Sequence, residues 1–156
     1  MIFLGYQGIG KSTWGGKHKY IDLESGNFWV DGIRSENWYI IYCKIAEHMS
    51  GQGYNVFVSS HEVVRRQLAT SNQRKAIIYP SIGLKEFWIN RLYERYLVTG
   101  LDKDFRAWKN AEQRYSENIS ELMFDTNYQH IEIKYVPYNL DDIIVDFTHS
   151  TQEDDE

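Results

Sequence analysis

Residues 5–13 read GYQGIGKST, a complete match to the pattern GxxxxGK[ST], and they follow directly on the apolar run MIFL. That order restricts the fold, because a phosphate-cradling loop of this kind sits between a buried strand and the helix that follows it. Met1–Leu4 can supply the strand, and Ser12, Thr13 and Trp14 can open the helix. The glycines let backbone N–H groups turn inward around a phosphate without Cβ crowding, at the positive end of the helix. Gly8, Ile9, Gly10, Lys11, Ser12 and Thr13 are therefore the candidate nucleotide-binding residues. Lys11 is placed to reach the β- and γ-phosphates, and the Ser12 hydroxyl to join a Mg²⁺ shell. Read without the motif, the stretch is a glycine-rich turn with one surface lysine.

A chain of 156 residues holds one domain with a real core. Five Trp, twelve Tyr and seven Phe provide large side chains for that core, with several left over for a substrate cleft. The net charge of -5 gives little electrostatic reason to expect general nucleic-acid binding, although a local basic cleft is compatible with it. Cys43 stands alone and has no internal disulfide partner, which fits a reducing compartment. No secretory segment is visible and no apolar run approaches membrane-spanning length. The expectation is a soluble cytoplasmic protein, monomeric or homodimeric, with no membrane partner.

Downstream of the loop, strand-like runs alternate with helical patterns. Tyr20–Glu24 reads as strand two, Asn55–Ser60 as strand three, Ala76–Tyr79 as strand four stopped by Pro80, and His130–Val136 as strand five stopped by Pro137. Trp38, Ile41, Ile45 and Met49 recur at helical spacing and form one apolar stripe. Leu84–Leu97 reads as a helix, and so does the stretch from about Asp104 to Phe124, where Trp108, Ala111, Tyr115, Ile119 and Leu122 keep one face. Asn139–Phe147 is a last short helix. Strands separated by helices favour a mostly parallel sheet covered on both faces, with the active site beyond the carboxyl ends of its strands. Residues 1–147 are thus expected to form a single α/β domain, and 148–156, THSTQEDDE, a flexible acidic tail.

With these elements in order, the chain resembles the P-loop group of nucleoside and nucleotide kinases, and most closely the small kinase-like proteins encoded by tailed bacteriophages. The residues that carry the resemblance are GYQGIGKST at 5–13, YIDLESGNF at 20–28, VFVSSHEVVRRQL at 56–68 and YPSIGLKEFWINRLYERY at 79–96. It extends over most of the first 145 residues, and the phosphate loop is its specific motif. The resemblance implies a P-loop NTPase three-layer fold, with a five-stranded parallel sheet of order 2-3-1-4-5. It further implies an acceptor-binding insertion over about 25–37 and a lid over about 91–106 that closes over ATP. Tyr138 and Asn139 fall in the region that often borders adenine in such kinases. An acidic residue often ends strand three in this group, whereas here strand three ends in Ser59, Ser60 and His61. That departure moves the carboxylate role to Asp22, as in kinases that phosphorylate a hydroxyl.

Asp22 falls at the end of strand two, on the loop's side of the sheet, so its carboxylate can bind Mg²⁺ through water or orient an attacking oxygen. It can equally cap the turn that follows, and Glu24 is the reserve carboxylate. His61 and Arg65 are four residues apart across a strand-to-helix junction and can hold an acceptor phosphate, with Arg66 on another azimuth. In the alternative, these are helix-start and surface residues. Arg34, in the aromatic segment NFWVDGIRSENWY, can bind an acceptor phosphate or pair with Glu36 or Asp31. Phe28 and Trp29 can stack on a base or anchor the insertion. Arg91 and Arg95 are one helical turn apart, with Trp88 on their side and Ile89, Leu92 and Tyr96 on the other. They can carry two charges over the triphosphate, or belong to an ordinary amphipathic helix. Lys85 and Arg106 are further lid candidates.

The expected activity is ATP- and Mg²⁺-dependent phosphoryl transfer to a small acceptor, a nucleoside or deoxynucleoside monophosphate, with Lys11, Asp22, Arg91 and Arg95 as the catalytic residues. A polynucleotide 5′-hydroxyl kinase and a non-catalytic nucleotide-binding regulatory module are the alternatives. The acidic balance makes a nucleic-acid partner the lesser expectation.

Overall fold

A computed structural model of the chain describes residues 1–10 and 20–153. Lys11, Ser12 and Thr13 lie outside the described residues. The strands are β1 (Ile2–Gly5), β2 (Tyr20–Asp22), β3 (Trp29–Val30), β4 (Ile33–Arg34), β5 (Asn55–Ser59), β6 (Lys75–Pro80) and β7 (Gln129–Ile133). The described α-helices are α1 (Trp38–Gly51), α2 (Glu62–Leu68), α3 (Lys85–Thr99), α4 (Asp102–Met123) and α5 (Leu140–Glu153).

Five strands form one parallel sheet in the order β2-β5-β1-β6-β7. Numbered along the chain, this differs from the expected 2-3-1-4-5 because two short strands, β3 and β4, intervene and pair only with each other. The five parallel strands by themselves run second, third, first, fourth, fifth. The three central strands bury both faces: Ile2, Phe3 and Leu4, Val56 to Val58, and Ala76 to Ile78 are fully buried. Continuous apolar runs suit strands covered by helices above and below. The resulting architecture is consistent with a three-layer α/β fold.

The β3–β4 hairpin turns through Asp31 and Gly32, both with positive φ (51° and 74°). A two-residue type I′ loop requires that conformation at both positions, and Asp-Gly is among its preferred sequences. The hairpin projects from the stretch expected to hold the acceptor.

Two apolar faces differ from expectation. In α1 the buried residues are Trp38, Tyr42, Cys43, Ala46 and Ser50, while Ile41 and Ile45 are exposed. A stripe started at Trp38 continues equally well through position 42 or position 41, and the tyrosine route is taken because its hydroxyl finds two backbone partners. In α3 the buried pair is Trp88 and Leu92, so Leu92 shares the face of Trp88 instead of opposing it. Helix α4 follows expectation more closely: Ala111, Tyr115, Ile119 and Leu122 are buried. Gly100 ends α3 in the left-handed conformation (φ 63°), its N–H returning to the Tyr96 carbonyl. The chain then folds back at once, and α3 and α4 close on an aromatic cluster, with Tyr93 4.6 Å from Trp108 and Tyr96 5.3 Å from Phe105. Helix α5 runs to Glu153, past the expected end at Phe147 and into the stretch expected to be a flexible tail. Among the described residues no helix is long and apolar enough to cross a membrane.

Candidate functional site

β1, β2 and β5 end together, and a cavity of about 740 Å³ opens beyond their carboxyl ends. Its size is that of a small-molecule site, and its place is where open parallel sheets bind ligands. The wall brings together Gly8, Ile9 and Gly10 of the loop, Asp22 and Glu24 after β2, and Trp29 and Arg34 of the hairpin. His61 and Arg65 reach it from the start of α2, and Arg95, Lys103 and Arg106 from α3 and α4. Arg91 and Tyr138 are not among the described residues lining it.

Asp22 is the last residue of the β2–β5 ladder, paired in register with Phe57. One further rung follows, the Leu23 N–H donating to the Phe57 carbonyl at 2.9 Å. In a parallel ladder the next bond would run from the Ser59 N–H to the Leu23 carbonyl. Instead the Tyr42 hydroxyl stands between them, accepting from the Ser59 N–H at 2.8 Å and donating to the Leu23 carbonyl at 2.7 Å. Burial pushes this phenol well above its ordinary range, so it stays a donor. Asp22 and Glu24 from the β2 end, and Ser59, Ser60 and His61 from the β5 end, all line the cavity.

Phe28 packs against Trp38 and Tyr42, which anchors the insertion, while Trp29 is half-exposed on the cavity wall. Arg34 lies 3.8 Å from the Trp38 ring and 4.8 Å from the Trp29 ring. It stacks on aromatics instead of pairing with Asp31 or Glu36. A guanidinium held over indole rings by cation–π attraction does not spend its N–H donors on that contact.

Arg65 is committed elsewhere. Its Nε donates to the Ser60 carbonyl at 3.0 Å, Nη1 to Asp125 at 3.1 Å and Nη2 to Glu121 at 3.5 Å, and its side chain is 11% exposed. Arg66 pairs with Glu62 one turn back on the open surface.

Where α3 meets α4, the Arg95 Nε donates to Asp104 Oδ1 at 2.8 Å, and Thr99 Oγ1 donates to Asp104 Oδ2 at 2.5 Å. Asp104 is 2% exposed, while the Arg95 side chain is 44% exposed. Burial alone would raise the Asp104 carboxyl, but the hydrogen bonds from Thr99 and Arg95 outweigh it and hold it below the ordinary range. A carboxylate that takes only Nε leaves the two terminal nitrogens of Arg95, a residue of the cavity wall, outside this pairing. Asp104 was not singled out in the sequence. Two aspartates in a helix's first turn read as dipole partners, and only the Thr99 hydroxyl five residues earlier hints at more.

The loop itself is held from outside. Trp88 Nε1 donates to the Gln7 carbonyl at 2.8 Å, and the Tyr138 hydroxyl donates to the Ile9 carbonyl at 2.8 Å. The two rings stack, 6.0 Å apart and 13° from parallel. Arg91 covers both, 5.4 Å from Trp88 and 5.7 Å from Tyr138. Gly8 and Gly10 have positive φ, 81° and 101°. A Cβ on Gly8 would come within 2.9 Å of Leu92 and 3.2 Å of Trp88 Nε1, so the loop rests directly on α3. No protein-family model matches the chain, and a search of curated proteins finds no match.

Proposed function

We propose that the protein is an ATP-dependent phosphotransferase acting on a nucleoside or deoxynucleoside monophosphate in the cytoplasm. One observation carries this reading: a single cavity is lined by Gly8 to Gly10, by the carboxylates of Asp22 and Glu24, and by arginines from the hairpin and the lid. Phosphoryl transfer asks for little else, since its catalysis is positioning and charge stabilisation. Positive φ at both glycines fits a nucleotide's phosphates, which need convergent backbone N–H groups and no Cβ in the way.

Gly8, Ile9, Gly10, Lys11, Ser12 and Thr13 would hold the donor phosphates, and Ser12 and Asp22 would hold Mg²⁺. Among the described residues no group of three or more His, Cys, Asp or Glu is gathered to hold a metal ion. The bound ion would neutralise phosphate charge. Asp22 orients the attacking oxygen, Arg95 and Lys11 offset charge on the transferred group, and Arg34 and His61 hold the acceptor. The half-exposed Trp29 ring offers a face for a planar base. The hydroxyl-acceptor alternative draws on the sequence Ser59-Ser60-His61, which puts no carboxylate at the end of β5, while Asp22 ends β2 on the cavity wall.

ATP supplied with all common nucleoside monophosphates, several free nucleosides and an oligonucleotide bearing a 5′-hydroxyl tests the reading. Transfer to a monophosphate is the expected result, and Lys11→Ala should lower it by about a hundredfold or more while the fold persists. Transfer only to nucleic-acid ends would replace the acceptor. ATP binding without transfer would make the protein a nucleotide-dependent module.

A further inference from the structure

The backbone carbonyls of Gln7 and Ile9 point away from the cavity, each into a side-chain donor from a distant part of the chain. In a planar trans peptide the C=O and the next residue's N–H point in opposite directions. Fixing the Gln7 carbonyl outward therefore turns the Gly8 N–H inward, and fixing the Ile9 carbonyl does the same for Gly10. Both glycines line the cavity and have positive φ, the alternation that makes a concave anion nest. The two donors support each other, since Trp88 is fully buried and stacks on Tyr138. The Arg91 guanidinium lies about equally far from both rings, 5.4 Å from Trp88 and 5.7 Å from Tyr138, and so contacts the pair as a unit.

We infer that Trp88 and Tyr138 are positioning residues that set the phosphate loop in its anion-binding conformation before any ligand arrives. The inference rests on the phosphotransferase reading for its ligand, but not for its geometry. It assigns Tyr138 to the loop's backbone instead of the adenine border, and Arg91 to the aromatic pair instead of the triphosphate. It also gives α3 two tasks, because the helix that carries Arg95 to the cavity also steers the loop through Trp88.

Two readouts on the full chain test it, with Tyr138→Phe as the main variant because only a hydroxyl is lost. Trp88→Phe is the second variant, used only if its far-UV circular dichroism matches the parent. Amide hydrogen exchange is followed without ligand in peptides covering 5–10 and 75–80. Tripolyphosphate and ATP affinities are measured by calorimetry. In Tyr138→Phe, exchange over 5–10 should rise about fivefold or more while β6 is unchanged, and both affinities should weaken about five- to tenfold, the worth of one hydrogen bond. Unaltered exchange over 5–10 in a folded variant overturns the inference, and so does an equal rise in β6, which would mean global loosening. If the parent binds neither ligand, the phosphotransferase reading falls, and the exchange comparison still decides whether the aromatic pair orders the loop.

Discussion

Arg65 and Arg95 both reach the cavity wall from a helix and both meet a carboxylate, yet they are differently employed. Arg65 has donors on all three nitrogens spoken for and is nearly sealed. Arg95 is held by Nε alone and is nearly half exposed. The first ties the β5–α2 junction to the end of α4, and the second is held at one nitrogen and left half open. An arginine's distance from a cleft therefore says less about its role than the number of its donors that are already taken.

If that contrast is real, Arg65→Ala should cost about 3–5 kcal/mol of stability, because the mostly buried Asp125 loses its cation. Urea unfolding measures it, and a loss under 1 kcal/mol would make Arg65 an available ligand group after all. Arg95→Lys should leave unfolding nearly unchanged while phosphoryl transfer falls about a hundredfold, or about 2.7 kcal/mol, since an ammonium lacks the terminal fork. Full turnover in that variant would remove Arg95 from the proposed machinery.

Asp104→Asn separates charge from geometry. The folded carboxyl lies below its ordinary value, so its contribution is fully present above the unfolded pKa and disappears as pH falls through the folded one. The parent should exceed the variant by about 1–2 kcal/mol at neutral pH, with the gap closing as pH falls below the ordinary carboxylate range. Melting temperature against pH gives the comparison, and a gap that ignores pH would mean the carboxylate charge is not what anchors Arg95. Glu121→Gln removes the half-exposed partner of Arg65 and should cost less than about 1 kcal/mol in the same unfolding assay. A larger loss would shift the weight of the clamp from Asp125 to Glu121.

The strands of the sheet and the described helices between them were legible because burial on both faces writes long apolar runs. The two short hairpin strands were not, since two residues show no period and only Asp-Gly marks their turn. The gathering of Asp22, Arg34, His61 and Arg95 around one cavity followed from placing each at the strand ends or on the lid. What each one touches did not follow. Arg65 and Asp125 are 60 residues apart in sequence, and so no local spacing announces their bond. The buried face of α1 was misread because hydropathy prefers Ile41 to Tyr42, and nothing local reveals that a phenol will find two backbone partners.

That phenol also sets a dimension. By standing where a direct rung would close, the Tyr42 hydroxyl acts as a spacer one oxygen wide between two strand ends. The gap between the carboxylates of β2 and the Ser-Ser-His segment of β5 is thus gauged by a helix lying under the sheet. A phenylalanine at this position would leave a partly buried N–H and a carbonyl without this bridge, or let the strands zip one step further and narrow the cleft's mouth. The width available to a ligand is written in α1, a helix otherwise absent from the cavity's wall.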